Sequence, residues 1–520
     1  MKKNLPDFIT LMVIILMGNS VQADLFRAYD LHFAGKFYSY HVEDLNNDGL
    51  RDIIIFDKRG EDETKKERWL SIYFQNQQGF PSNPGQSFRI PDDVIVFDIG
   101  DVAGDHKKEF VYFAPGGVYY FVLADSGFVL KPIRLFNTES IFMIPDPSTI
   151  LIWDFVSDLN GDYLDEVIVP RFKRCDIYFR RENGTTWVVN QIPLSMESHV
   201  FGYYSPRFSV GLKADALYSI PFLLFDDFNA DGRKDLIGVY RDSLLVFCQE
   251  ASGFFSQMYL QKIPIDYGSI WRGAKIIRVN LGDQVERKYL MRIKDLNHDG
   301  ILDIVSLRIS TEKSIVKPET DLSIFFGKRD TTDSAGRIYF SQEPDQIIKP
   351  DGTMLVVDIW DFNHDGRLDL LLPVVKVGIT RIIKMLLTKT AEVEASFYLM
   401  NAEGRYPEKP DFSAKMVVKF TLRGGASSPV YEIADFNADG NLDILSSLEE
   451  KRLVLFWGKE QGVVQSTISA NYHVLLPQDG ELVKAIDLNG DKKSDVIITY
   501  EENDASRKKL RNTLKVLLAN

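Results

Sequence analysis

Five stretches of this chain spell the same nine-residue phrase, Asp-x-Asn-x-Asp-Gly-x-x-Asp, starting at Asp44, Asp227, Asp295, Asp361 and Asp435. By composition such a match should arise on the order of once in a million start positions, so five in one chain mark a repeat. Three further copies start at Asp101, Asp158 and Asp487, with glycine at position four instead of six. The eight starts lie 52 to 74 residues apart, room for four short strands and their turns in each unit. A period of this length points to one repeated supersecondary unit whose copies share a continuous core, so this chain of 520 residues need not divide into several domains.

The flanks of the loops carry the strand signal. Val94-Ile95-Val96-Phe97, Phe222-Leu223-Leu224-Phe225 and Leu355-Val356-Val357 precede loops; Ile53-Ile54-Ile55-Phe56, Ile304-Val305 and Leu370-Leu371-Leu372 follow them. Such short β-branched and aromatic runs read as strands buried on both faces. A third strand repeats in phase, as in Trp69 to Phe74, Val118 to Phe121, Leu322 to Phe326 and Leu453 to Phe456. The turn after it often closes on glycine and an apolar residue: Gly79-Phe80, Gly127-Phe128, Gly253-Phe254, Gly462-Val463. After the last loop only a second strand (Val496 to Tyr500) and a third (Thr513 to Leu518) remain, while Leu25 to Phe33 have no place in the first unit. The N-terminal strand is therefore expected to complete the last unit. The reading is all-β: a single closed β-propeller of four-stranded blades over 24–520, with eight blades expected and seven the alternative.

The pattern resembles the FG-GAP/VCBS repeat family, the propeller type of the integrin α head and of many bacterial exported proteins. Phe113-Ala114-Pro115-Gly116-Gly117 is the nearest trace of the signatures that name the family. Integrin-type members have seven blades, whereas eight loops occur here. The resemblance implies calcium in the loops, ligand contact at the opposite face, and no single activity.

Calcium takes six to eight oxygen ligands in flexible geometry, and the loop offers only oxygen. Side chains at positions one, three, five and nine and the carbonyl of position seven give Asp44, Asn46, Asp48, Leu50 and Asp52 in the first loop. The corresponding sets are Asp158, Asn160, Asp162, Leu164 and Glu166; Asp227, Asn229, Asp231, Arg233 and Asp235; Asp295, Asn297, Asp299, Ile301 and Asp303. The rest are Asp361, Asn363, Asp365, Arg367 and Asp369; Asp435, Asn437, Asp439, Asn441 and Asp443; Asp487, Asn489, Asp491, Lys493 and Asp495. The Asp101 loop, with Ala103 at position three, lacks one ligand, so about seven Ca²⁺ sites are expected. The glycine-four loops suggest a subtype with different backbone geometry. An EF-hand is excluded, because position twelve is Ile55, Gly238, Ser306, Leu372 or Ser446 and strands follow. Metal-free Asx turns are the alternative reading of the loops. Seven Ca²⁺ would nearly cancel the net charge of −13, which itself argues against nucleic acid or an anionic membrane as partner.

Residues 1–23 read as a signal peptide: Lys2 and Lys3, an apolar stretch from Ile9 to Met17 too short to span a bilayer, and Val21-Gln22-Ala23 at the cleavage site. Export, to the periplasm or beyond the cell, is the expectation, with an uncleaved anchor as the alternative and no membrane span afterwards. Cys175 and Cys248 fall in neighbouring units out of register, which favours two unpaired thiols.

Two insertions fall on the face opposite the loops. Residues 376–393 carry apolar residues at helical spacing, and Glu197 to Leu217 carry Phe201, Tyr203, Tyr204 and Phe208. His298 and His364 sit at position four of loops, and Trp153 and Trp360 read as core. No nucleophile elbow, zinc spacing or phosphate loop occurs. The expected function is non-enzymatic binding or scaffolding of a protein or glycan at that opposite face. A polysaccharide-lyase-like enzyme and a propeller lectin are the alternatives.

Overall fold

The computed structural model describes residues 25–60, 66–181, 186–203, 213–240, 242–264, 269–270, 285–314, 317–332, 337–354, 356–376, 390–419, 430–459, 464–465, 467–500 and 507–520. The signal-peptide stretch 1–23, Gly462-Val463, the tip of the 197–217 insertion and most of the 376–393 insertion lie outside them. The end of that last insertion is strand, not helix, because a strand begins at Thr390.

Eight blades follow one another along the chain, each built on antiparallel pairing, with Ser269–Ile270 in the fifth as a parallel addition. The first is typical: Lys36–Glu43 innermost, then Asp52–Arg59, Glu67–Tyr73 and Gln86–Arg89 outermost, each hydrogen-bonded to the next. Each acidic loop joins the innermost strand to the second, so all eight sit on one face. The fifth and sixth blades carry extra inner segments at Ser269–Ile270 and Thr353–Met354. The eighth blade is Val483–Ile486, Asp495–Ile498 and Thr513–Ala519, completed by Phe26–His32 from the other end of the chain. That last pairing runs in continuous register from Phe26 opposite Ala519 to His32 opposite Thr513. Eight blades with N-terminal closure is therefore the observed fold, and seven is excluded.

The second strands are apolar at successive positions because each is walled by a blade on both sides. Ile54 and Phe56 pack toward the second blade, Ile53 and Ile55 toward the eighth. In the sixth blade Leu370 and Leu372 face the fifth while Leu371 faces the seventh. The apolar clusters run through every pair of neighbours, and the one formed by Leu31, Ile53, Tyr73, Leu488 and Val516 joins the two ends of the ring. In the first two blades the aromatic residue after the turn glycine is a wedge between blades: Phe80 and Phe128 are buried against the preceding blade. Gly79 has φ +103, and a side chain there would strike Tyr29, so both conformation and space require glycine.

Cys175 is buried, Cys248 is half-buried, and both are free thiols. Burial pushes the Cys175 thiol up to about 12 and the Cys248 thiol up to about 11. Trp153 packs on the core as expected, but Trp360 is 44% exposed. It ends the inner strand Asp358–Trp360, opposite Asp369 at the mouth of the acidic loop. Among the described residues no helix is long and apolar enough to cross a membrane.

Candidate functional site: the acidic loops and the opposite face

Position two is apolar in every loop, and all eight side chains are buried: Leu45, Val102, Leu159, Phe228, Leu296, Phe362, Phe436 and Leu488. This plug seats the loop on the core and carries the neighbouring polar side chains down with it. In the first loop Asp44 accepts hydrogen bonds from the amides of Asp48 and Gly49, at 3.1 and 2.9 Å. Asn46 accepts from the Asp48 amide and donates to its carboxylate, and Asp48 accepts from the Leu50 amide. The pattern is an Asx-stabilised turn with oxygen atoms gathered on its inner side.

Position nine is different. Asp52, Asp235, Asp303, Asp369, Asp443 and Asp495 are fully buried, and each bridges two backbone amides. In the fifth loop Asp303 accepts from Leu296, within the loop, and from Gly327, just past the third strand, both at 2.9 Å. The same bridge joins Phe362 and Met400 through Asp369. Position nine therefore ties the loop to the blade, beyond any duty as a metal ligand.

Burial, reinforced by the carboxylates at positions one and five, raises these acids against the pull of their amide donors. Asp52, Asp303 and Asp495 rise to about 7, and Asp235, Asp369 and Asp443 to about 6. Glu109 and Glu166, one methylene longer, rise to about 8.

The oxygen-only donor set matches a hard cation such as calcium. Two buried oxygens at these positions lack any hydrogen-bond donor: Oδ1 of Asn229 and Oε1 of Glu109. A carboxylate that accepts two amide bonds still has lone pairs to offer. Among the described residues no three carboxylate, imidazole or thiol groups alone are gathered as a metal cage, so a cation at a loop would need Asn and carbonyl oxygens as well. Two loops also bring their own cation: Arg233 and Arg367, at position seven, pair with Asp231 and Asp365 at position five.

The two loop classes share one backbone. Positions four and six both adopt positive φ in all eight loops, from 58° at Ala438 to 87° at Gly440. Glycine takes position six in five loops and position four in the other three, where His106, Tyr163 and Lys492 bear the strain at six. The expected difference in geometry is thus absent, because one left-handed residue is needed on each side of position five whichever of them is glycine. A non-glycine residue there costs roughly 1–2 kcal/mol. Gly232→Ala should destabilise the protein by about that amount, and Ala230→Gly should relieve part of the existing strain, to about 0.5–1 kcal/mol. Urea melts of the two variants check the opposite signs.

Consecutive loops are also joined. In four of the eight loops the amide at position eight donates to a carbonyl at the start of the preceding loop: Lys108 to Leu45, Leu368 to Leu296, Ser494 to Asp435, and, across the chain ends, Arg51 to Leu488 at 2.8 Å. Side chains make further links, from Arg180 to Val102, Gln249 to Leu159 and Arg329 to Asn229. The loops form a belt on one rim of the ring.

The opposite face carries projections instead. A hairpin of Glu197–Tyr203 and Lys213–Ser219 stands between the third and fourth blades. At its base the ring of Tyr218 lies edge-on to Phe172, centroids 4.9 Å apart. Val200, Leu217, Tyr218 and Phe172 are all exposed. Tyr204 and Phe208, expected on this insertion, lie outside the described residues.

No protein-family model and no curated protein sequence matches the chain. Similar solved structures include a lectin from Agrocybe aegerita that recognises non-reducing terminal N-acetylglucosamine. It is 14% identical over 87% of this chain and 90% of its own length, with a TM-score of 0.37. A protein from Lactobacillus plantarum is 10% identical over 81% of this chain and 96% of its own, with a TM-score of 0.29. Similarity at this level leaves the ligand to be argued from this chain's own residues.

Proposed function

We propose that this chain is an exported, calcium-stabilised propeller of the FG-GAP/VCBS type that binds a protein or glycan without transforming it. Its metal ligands would be the Asp, Asn, carbonyl and position-nine sets named above. Bound calcium would supply structural charge neutralisation, fixing each loop against its neighbour. The signal-peptide-like opening supports export, and an extracellular calcium level suits sites of roughly millimolar to tenth-millimolar affinity.

The observation that carries the reading is the contrast between the two faces. Buried carboxylates that tie each loop to its blade, with hydrogen bonds between neighbouring loops, knit one rim together, whereas the other presents exposed aromatic and aliphatic side chains on and beside a raised hairpin. The two thiols, held protonated by burial, are unsuited to nucleophilic work. Binding is tested by capture from the protein's native surroundings and from a glycan panel, with wild type and Tyr218→Ala compared in calcium. Capture by wild type that Tyr218→Ala weakens supports the hairpin face. Capture that survives this change and is lost on altering the acidic rim would move the site to the other face.

A further inference from the structure

The acidic loops are not equal in charge, and position seven makes the difference. Lysine or arginine stands there in the second, fourth, sixth and eighth loops (Lys107, Arg233, Arg367 and Lys493), and an uncharged residue in the other four. The two lysines reach partners outside their loops: Asp125 lies 3.9 Å from Lys107, and the main-chain oxygen of Asn520 lies 2.7 Å from Lys493. The two arginines turn back onto their own loops.

Each arginine closes the same circuit. The Arg233 guanidinium pairs with Asp231 at position five, while its Nε donates to the Gln249 carbonyl at 2.9 Å. The Gln249 amide in turn donates to Asp235 at position nine, at 2.8 Å. In the sixth loop Arg367 pairs with Asp365 and its Nε donates to the Met400 carbonyl at 3.4 Å; the Met400 amide donates to Asp369 at 2.8 Å. A planar fork of donors can hold two such acceptors at once. Both oxygens of each position-five carboxylate are thereby engaged, one by the position-seven amide and one by the guanidinium. In the fourth loop the arginine also stands in for the asparagine. Asn229 donates to Cys248 Sγ at 3.5 Å, whereas in six other loops the asparagine at position three donates to position five.

We propose that Arg233 and Arg367 are resident counter-cations that divide the acidic loops into two calcium classes. The inference rests on the calcium reading above and concerns its regulation. In the fourth and sixth loops the guanidinium must leave position five before that carboxylate can serve a divalent ion, and its charge then stays close by. Where position seven is uncharged, only neutral amides have to turn. A like charge beside a divalent ion in a solvent-screened loop weakens its binding about tenfold. The paired side chains are 25–41% exposed, so each ion pair is weak enough for a divalent cation to open. The fourth and sixth loops therefore stay closed on their own arginines when calcium is scarce and fill last as it rises.

Calorimetric titration of the metal-free full chain with calcium chloride tests this on wild type, Arg233→Leu/Arg367→Leu and Leu50→Arg. Leucine already stands at position seven of the first and third loops, so the loop accepts it. In the double variant the two weakest sites should tighten about tenfold with the total number of ions unchanged, and metal-free melting should fall slightly. In Leu50→Arg one site should weaken about tenfold. If the leucines prevent folding, Arg233→Gln/Arg367→Gln replace them. Lys107→Leu removes the same charge at the loop that lacks a ligand, and should leave the isotherm unchanged. Equal tightening by Lys107→Leu, or calcium affinities indifferent to the arginine changes, overturns the counter-cation role and leaves the calcium reading intact. A wild type that takes up no calcium overturns both.

Discussion

Removing divalent cations from the purified protein at pH 8 is expected to lower its melting temperature by about 10 °C or more. A site with a dissociation constant near 10⁻⁴ M, at about 1 mM calcium, contributes roughly 1.4 kcal/mol through mass action. Seven such sites approach 10 kcal/mol, comparable to the whole stability of an ordinary domain. The pH dependence should change sign with the metal. In the metal-free protein the position-nine acids hold their protons up to about 6–8. In the unfolded chain they release them near 4. The folded state therefore binds more protons across that window, and stability falls as pH rises from about 5 to 8. Calcium takes the place of those protons, so with metal present stability should hold or rise over the same range. Melts of dialysed and calcium-loaded protein at three pH values measure both effects. Identical curves with and without calcium at pH 8 would end the metal reading and leave the loops as Asx turns.

The second large effect separates two carboxylates of one loop. Asp369 is fully buried and bridges the amides of Phe362 and Met400, at 3.0 and 2.8 Å. Asp369→Ala leaves both amides buried without an acceptor, and at about 1–3 kcal/mol each the loss should reach about 3–5 kcal/mol, with or without calcium. Asp361 accepts from Asp365 and Gly366 at the solvent-exposed side, at 3.1 and 2.9 Å. Water replaces it there, so Asp361→Ala should cost about 1 kcal/mol or less in metal-free protein. In calcium it should lose more, together with one ion from the metal-to-protein ratio. Urea melts in both conditions and elemental analysis of dialysed protein provide the readouts. Equal costs for the two variants in metal-free protein would show that position nine does not anchor the blade.

Much of the architecture was legible because a propeller repeats one local decision. A loop that must present oxygens inward, flanked by strands walled on both sides, leaves its mark in nine contiguous residues and a short apolar run. The unit count and the handing of Leu25 to Phe33 to the last blade followed from that bookkeeping. Position two was also legible in principle, since every loop has Leu, Val or Phe there, yet its role as a buried plug emerges only when the loop is seen on the core. The two loop classes looked distinct because glycine moves between positions four and six; the backbone shows one conformation with two left-handed residues.

What the sequence by itself determined is therefore everything set by short-range chemistry: strand, turn, acidic loop, and the number of times they recur. Only the tertiary structure decided what depends on residues brought together from afar. The double amide bridge of each position-nine aspartate and the hydrogen bonds that pass from loop to loop join segments with no common pattern along the chain. Ring closure makes them neighbours, and neither periodicity nor composition records which distant side chains a closed ring sets face to face.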